Sequence, residues 1–265
     1  MSKRMENMIA FITGGSSGIG RATAHRMATE GATVVICSRT EANLKKVVDE
    51  IHAAGGKASY VVADVTSEKN ITLAIEGVAE KFSRIDVLVN NAMTVAWGSI
   101  EESDSQTWAA NINGSLNSVY YGTKAVLPLM KRQRGGSIIN VSSIVALLGA
   151  PGMSGYAAAK SGVVGFSRVA ALEGAQSNIR VNVVIPGAIA TPPTLASVPD
   201  SESLHRMESE IPLKRLGSAE EIAATITFLA TRDAGYITGS VIVADGGKSC
   251  ELSVATAPLE SLKNI

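Results

Sequence analysis

The chain has 265 residues, of which 46% are apolar and 18% charged, with 24 basic side chains against 24 acidic ones. That length suits one substantial α/β core, and a formal charge of zero gives no long-range attraction for nucleic acid or an acidic membrane surface. The two cysteines, Cys37 and Cys250, exclude a disulfide framework, and His25, His52 and His205 are too scattered for a metal site, so no metal is expected.

The first predicted strand reads MIAFITG (8–14), followed by a glycine-rich turn and the helical pattern GIGRATAHRMATEG. ATVVICS (32–38) is the next strand and EANLKKVVDEIHAAGG (41–56) an amphipathic helix ending at glycines. KASYVVADV (57–65), the helix EKNITLAIEGVAEKF and the strand IDVLVNNA (85–92) continue the rhythm. A long helix is predicted over 104–132, with Asn111 and Asn113 inside it, and it ends at the compact basic run Lys131, Arg132 and Arg134. GGSIINVSS (135–143) is a strand, a helix runs from Tyr156 to Gly174, and NIRVNVVIPG (178–187) is a strand. Residues 188–213, with four prolines, read as an excursion from the core. SAEEIAATITFLA (218–230) opens on a capping-box pattern, Ser218 with Glu221, and GSVIVADGG (239–247) is the last strand.

The strands are short, β-branched and mostly apolar on both faces, and helices separate them. That is the pattern of βαβ units and a parallel sheet covered on both sides. The expectation is one doubly wound α/β domain over residues 1–247, with seven strands and about six helices. Residues 188–213 would be its substrate loop and 248–265 a C-terminal tail. No signal peptide or membrane span is predicted, so a cytoplasmic protein is expected.

TGGSSGIG (13–20) lies between the first strand and the first helix. Gly14 permits a tight turn, Gly18 lets a phosphate approach the backbone, and Gly20 lets helix and strand pack closely. The helix N-terminus then offers free N–H groups to a pyrophosphate. The second strand ends in Ser38 and Arg39, where an NAD site would place a carboxylate. A hydroxyl and a guanidinium suit a 2′-phosphate, which favours NADP(H), with NAD(H) still possible. Arg39 also reads as a solvated residue at a helix start, and Ser17 adds no second positive charge.

With Asp64, NNA (90–92), Asn111 in NING, Ser143 closing NVSS, YAAAK (156–160) and Pro186-Gly187, the chain resembles the classical short-chain dehydrogenase/reductase family over residues 6–247. The resemblance implies a Rossmann-like domain, an oxidoreductase with a nicotinamide pocket at the C-terminal ends of the strands, and assembly as a homotetramer. It implies that Tyr156 is the general acid/base, Lys160 its partner, Ser143 the substrate-orienting hydroxyl, and Asn111 the residue holding a water in the proton relay. It further implies cofactor contacts from Gly14, Ser16, Ser17, Gly18, Ile19 and Gly20, and from Ser38 and Arg39. Asp64 and Val65 would lie beside the adenine, Asn90 and Ala92 along the cleft, and Pro186, Gly187, Ile189 and Thr191 near the nicotinamide, together with Tyr156 and Lys160. Met93 departs from the family pattern, which commonly has glycine after NNA.

The chemistry asks for these types. A phenol is a poor base at neutral pH, and a nearby ammonium one helical turn away favours its ionisation. A serine hydroxyl can donate to an oxygen on which negative charge develops. Met93, Trp97, Leu147, Leu148 and Met153 suggest an apolar pocket, and no cation is placed to clamp a substrate carboxylate or phosphate. A hydrophobic ketone or its secondary alcohol is the expected substrate. A 3-oxoacyl thioester is the alternative, for which Lys131, Arg132 and Arg134 are the candidate docking patch. A nucleotide-binding sensor without turnover is a third reading, and the complete catalytic set argues against it.

Overall fold

The computed structural model describes residues 3–250. Its centre is a sheet of seven parallel strands: β1 (Ile9–Thr13), β2 (Thr33–Ser38), β3 (Lys57–Val62), β4 (Val87–Asn90), β5 (Gly136–Val141), β6 (Ile179–Pro186) and β7 (Val241–Ala244). They lie in the order β3-β2-β1-β4-β5-β6-β7, so the chain reverses its direction of winding between β1 and β4. In an open parallel sheet such a reversal opens a crevice at the C-terminal ends of the strands.

Side-chain alternation explains why both faces are apolar. In β1, Ala10 and Ile12 enter one buried cluster while Ile9 and Phe11 enter the other; in β2, Val34 and Ile36 part from Val35 and Cys37 in the same way. One cluster is closed by α1 (Gly18–Thr29), α2 (Glu41–Ala53) and α9 (Ala219–Ala230), the other by α3 (Glu68–Phe82), α5 (Ser118–Gln133) and α6 (Ser154–Ala175). The buried stripes Leu44, Val47, Val48, Ile51 on α2 and Ile71, Ala74, Ile75, Val78 on α3 follow helical spacing. The capping box forms as expected: Glu221 N–H donates to Ser218 Oγ at 3.1 Å, and Ser218 N–H to Glu221 Oε2 at 2.8 Å.

Nine α-helices are present among the described residues, more than the six expected. The long helix predicted over 104–132 is interrupted: α4 (Ser105–Ile112) passes through a π-helical turn, Asn113–Asn117, into α5. Within that turn Gly114 packs against Thr94, where a Cβ would collide with Thr94 Oγ1. The excursion 188–213 contains two further helices, α7 (Pro192–Ala196) and α8 (Ser201–Ser209). Proline is tolerated in a first turn, and Asp200 caps α8 by accepting from Ser203 N–H at 2.8 Å. Among the described residues no helix is long and apolar enough to cross a membrane. Most of the predicted tail, residues 251–265, lies outside the described residues.

Candidate active site

A cleft of about 490 Å³ opens at the C-terminal ends of the strands, across the reversal between β1 and β4. Its nucleotide half begins at the glycine-rich turn. Gly14 has φ +66, and a Cβ there would come within 2.8 Å of Asn91 Nδ2. At Gly20 a Cβ would collide with the Gly14 carbonyl oxygen, so strand and helix meet as closely as the sequence implied. Ser17 caps α1 in an extended conformation without a side-chain hydrogen bond, which leaves first-turn N–H groups for an anion. Ser16, Ser17, Gly18 and Ile19 line this half, and Thr191 faces Gly18 across it.

At the end of β2, Ser38 and Arg39 also line the cleft. The Ser38 hydroxyl is buried without a hydrogen-bond partner, and Arg39 is exposed with no ion-pair partner among the described residues. Asp64 and Val65 lie opposite, and Asp64 Oδ1 accepts from Thr66 N–H at 2.9 Å and from its hydroxyl at 2.8 Å. A cradle closed to any Cβ, free helix N–H groups and an orphaned hydroxyl fit a dinucleotide.

The other half is built on β5 and α6. Tyr156 and Lys160 lie one turn apart on α6, both buried, with the ammonium 5.6 Å from the phenol ring centroid. Lys160 Nζ donates to the Val141 carbonyl at 2.8 Å, at the end of β5. Burial lowers the Lys160 ammonium to about 7 and pushes the Tyr156 phenol up to about 12. The Ser143 hydroxyl opposes the rise, although the phenol's own proton is directed at Met93 Sδ, 3.2 Å away. Ser142 is turned inward, donating to the Lys160 carbonyl at 2.8 Å, which leaves Ser143 as the serine of the pair that faces Tyr156.

The structure departs from the sequence expectation at Asn90, Asn111, Leu147 and Leu148. Asn90 does not face the cleft: its amide donates to Asn140 Oδ1 at 2.8 Å and Thr123 Oγ1 at 3.2 Å, behind the sheet end. Its neighbour Asn91, which the sequence reading passed over, lines the cleft and clamps the glycine turn, donating to the carbonyls of Thr13 (3.0 Å) and Gly14 (3.2 Å). Thr13 completes that clamp by accepting from the N–H groups of Asn91 and Ala92.

Asn111 does not offer its amide to a water. Its Oδ1 accepts from Ala96 N–H at 3.0 Å, while Nδ2 donates to the carbonyls of Ala96 (2.9 Å) and Thr107 (3.1 Å). Ser115, four residues on, exchanges hydrogen bonds with Thr94 in the same way. Together they fix loop 94–96 along the cleft.

Beyond Tyr156 the cleft is walled by Met93, Thr94, Val95, Trp97 and Met153, and by Pro186, Gly187, Ile189, Thr191, Pro193, Thr194 and Ser197. Leu147 and Leu148 do not line it. A parallel bridge between Gly98 and Met153 ties the two apolar loops together. The charged side chains lining the cleft are Arg39, Asp64 and Lys160. A second cavity, about 290 Å³, lies behind Ile189, where Arg215 and Glu221 are paired with each other.

The model of the family described as enoyl-(acyl carrier protein) reductase matches residues 14–249. The chain is 43% identical to the 3-oxoacyl-[acyl-carrier-protein] reductase of Thermotoga maritima, covering 92% of this chain and 98% of that one. It is 39% identical to the cyclohexanol dehydrogenase of Acinetobacter sp., over 93% and 96%. The crystal structure of levodione reductase superposes with a TM-score of 0.90 at 33% identity, covering 94% of this chain and all of that one. The chain belongs to the classical short-chain dehydrogenase/reductase family. It is an oxidoreductase with a nucleotide-binding Rossmann-like domain, as the motifs implied.

Proposed function

We propose that this short-chain dehydrogenase/reductase interconverts a neutral, apolar ketone, of ring type, with its secondary alcohol, using NADP(H) in preference to NAD(H). The observation that carries the substrate class is the distribution of charge. Arg39 and Asp64 belong to the β2–β3 side of the cleft, and on the β5 side the charged lining residue is Lys160, beneath Tyr156. A carboxylate or phosphate would enter the apolar half without a countercharge, which is unfavourable. Relatives named for cyclohexanol and cyclopentanol support the ring.

In this reading Gly14, Ser16, Ser17, Gly18 and Ile19 hold the pyrophosphate, Ser38 and Arg39 the 2′-phosphate, and Asp64 and Val65 the adenine. Ala92, Pro186, Gly187, Ile189 and Thr191 bound the nicotinamide end. A nicotinamide bound there would supply the hydride chemistry at the carbonyl carbon. Ser143 donates a hydrogen bond to the carbonyl oxygen as negative charge develops on it. Tyr156 gives that oxygen its phenolic proton, and in alcohol oxidation the phenolate receives it back. Lys160 stabilises the phenolate, and Asn111 acts by holding loop 94–96 in place.

A 3-oxoacyl thioester is the second reading, favoured by the Thermotoga maritima relative. Its docking patch is poorly placed for it. Arg134 caps the end of α5, two residues before β5 begins, whereas the cleft lies beyond Val141 at the other end of that strand. At about 3.3 Å per residue the patch and the cleft are separated by roughly the length of the sheet. Within the excursion Arg206 pairs with Glu202, and beyond it Arg215 pairs with Glu221 and Lys248 with Glu210.

Self-association into a homotetramer is also proposed. Val169 and Leu172 on α6 and Tyr120 on α5 are exposed apolar side chains, Leu172 at 78%. Sedimentation velocity tests it, and a monomer at micromolar concentration would refute it. For the activity, cyclohexanone, an aryl ketone, a keto acid and a 3-oxoacyl thioester are to be reduced with NADPH and NADH in parallel. Neutral ring ketones with NADPH are expected to be preferred. Preference for the keto acid, or for NADH, overturns the corresponding half of the proposal. Tyr156→Phe should bind NADPH and lose turnover by a factor of about a hundred or more.

A further inference from the structure

We infer that Met93 determines which ketones the site accepts, by occupying in the free enzyme the place at the Tyr156 hydroxyl that the substrate's reacting oxygen has to take. This rests on the reaction proposed above and adds a specificity residue to it. The backbone of Met93 does not adopt the left-handed conformation, so no strain requires glycine there and a side chain is accommodated. That side chain runs into the cleft, where its sulfur accepts the phenolic proton at 3.2 Å.

The backbone on either side is held. Ala92 N–H donates to Thr13 Oγ1, and Thr94 exchanges two hydrogen bonds with Ser115 Oγ. Met93 as a residue is 47% exposed. A flexible three-torsion chain is thus carried on a fixed backbone, next to the reacting group. A buried phenol needs an acceptor, and a thioether is a weak one. A ketone oxygen is a stronger acceptor, so exchange at the hydroxyl favours the substrate while keeping the phenol satisfied beforehand. Once displaced, the side chain has the walls formed by Trp97 and Met153 to turn towards, and it would then press on the carbon next to the carbonyl. Unsubstituted rings would fit and rings substituted beside the carbonyl would be resisted.

Two variants separate shape from acceptor. Met93→Ala removes both, and it should raise the kcat/KM ratio of 2-methylcyclohexanone to cyclohexanone by about tenfold or more, the scale of a lost contact of this size. Met93→Leu keeps the bulk, and its ratio should stay within about threefold of the wild type. With the acceptor of the neutral phenol lost, Met93→Leu should shift the Tyr156 limb of the kcat/KM profile for alcohol oxidation down by about half a pH unit. Lys160 and Ser143, which also face that phenol, are present in both proteins.

Lactams give a readout without turnover, since their carbonyl accepts a hydrogen bond and is not reduced. In calorimetric titrations Met93→Ala should gain affinity for the substituted lactam relative to caprolactam by a similar factor. An unchanged ratio in Met93→Ala, by rate and by titration, overturns Met93 as the size determinant. An unshifted limb in Met93→Leu overturns the sulfur as the acceptor. If the wild type reduced none of the ring ketones, the proposed reaction would fail separately, and the lactam titration would still decide the role of Met93.

Discussion

Lys160 offers a test that needs neither substrate nor nucleotide. The ammonium is fully buried, its nearest polar contact is the Val141 carbonyl, and among the described residues no carboxylate pairs with it. Burial lowers it from the ordinary 10.5 to about 7. The unfolded chain, whose lysine keeps its ordinary value, therefore binds more protons than the native chain between pH 7 and 10.5. Stability attributable to this group is largest above 10.5 and is lost as pH falls towards 7. Each pH unit inside the window is worth about 1.4 kcal/mol, so the rise from pH 7 to 9.5 is on the order of 3 kcal/mol. For a chain of this length that corresponds to a Tm increase of roughly 6–10 °C.

The assay is differential scanning fluorimetry of nucleotide-free protein from pH 7 to 9.5, wild type against Lys160→Met. The methionine variant keeps the apolar stem and has no group titrating in the window. The wild-type curve should climb relative to the variant's by that amount. The absolute offset between the proteins carries the lost bond to Val141, so the slopes are compared. Parallel curves would refute the argument, because they would mean that Lys160 titrates alike in the folded and unfolded chains. Tyr156 acts in the opposite sense: raised from 10 to about 12, it contributes stability below pH 10 that is lost as pH rises through 12, outside the assay window.

Replacing Arg39 with alanine should lower kcat/KM for NADPH relative to NADH by about 10- to 100-fold, the worth of charged hydrogen bonds to a phosphate, and an unchanged ratio would refute the 2′-phosphate assignment. Gly20→Ala places a Cβ against the Gly14 carbonyl, so NADPH affinity measured by fluorescence should fall about tenfold or more; undiminished binding would show that the turn can yield. Asn111→Leu leaves the N–H and carbonyl of Ala96 without their partners, at about 1–3 kcal/mol each where buried. The expected result is faster amide exchange over residues 94–97 and a lower kcat, and exchange equal to the wild type would refute its role in holding the loop.

The strands were legible in the sequence because most are apolar on both faces, a pattern that many residues state at once, and the partly exposed edge strands β3 and β7 are still rich in valine. Losing any one of those residues would leave the reading intact. The site is encoded differently. Tyr156, Lys160 and Ser143 stood out through their place in the ordered motifs of the family the chain resembles, since a tyrosine and a lysine one turn apart, or a serine at a strand end, is ordinary when taken alone. Asn90 and Asn91 show the limit of that reasoning. Strand alternation says that two adjacent asparagines point to opposite sides, but which side faces the cleft follows from the pairing of Asn90 with Asn140, a residue fifty positions away. Asn111 was found by type and misread in action, since its amide is spent on Ala96, fifteen residues earlier. Helix α8 is a different kind of miss, for its signal was local: Asp200 is a preferred N-cap residue and Glu202 an acidic residue in the first turn, obscured by the prolines around them. Met93 joins the two cases. The departure from glycine was visible in the sequence, but its consequence depends on a backbone angle and on the direction of one thioether. Where a motif is broken at a position that needs no special backbone, the substituted side chain is the place to look for what distinguishes one member of a family from another.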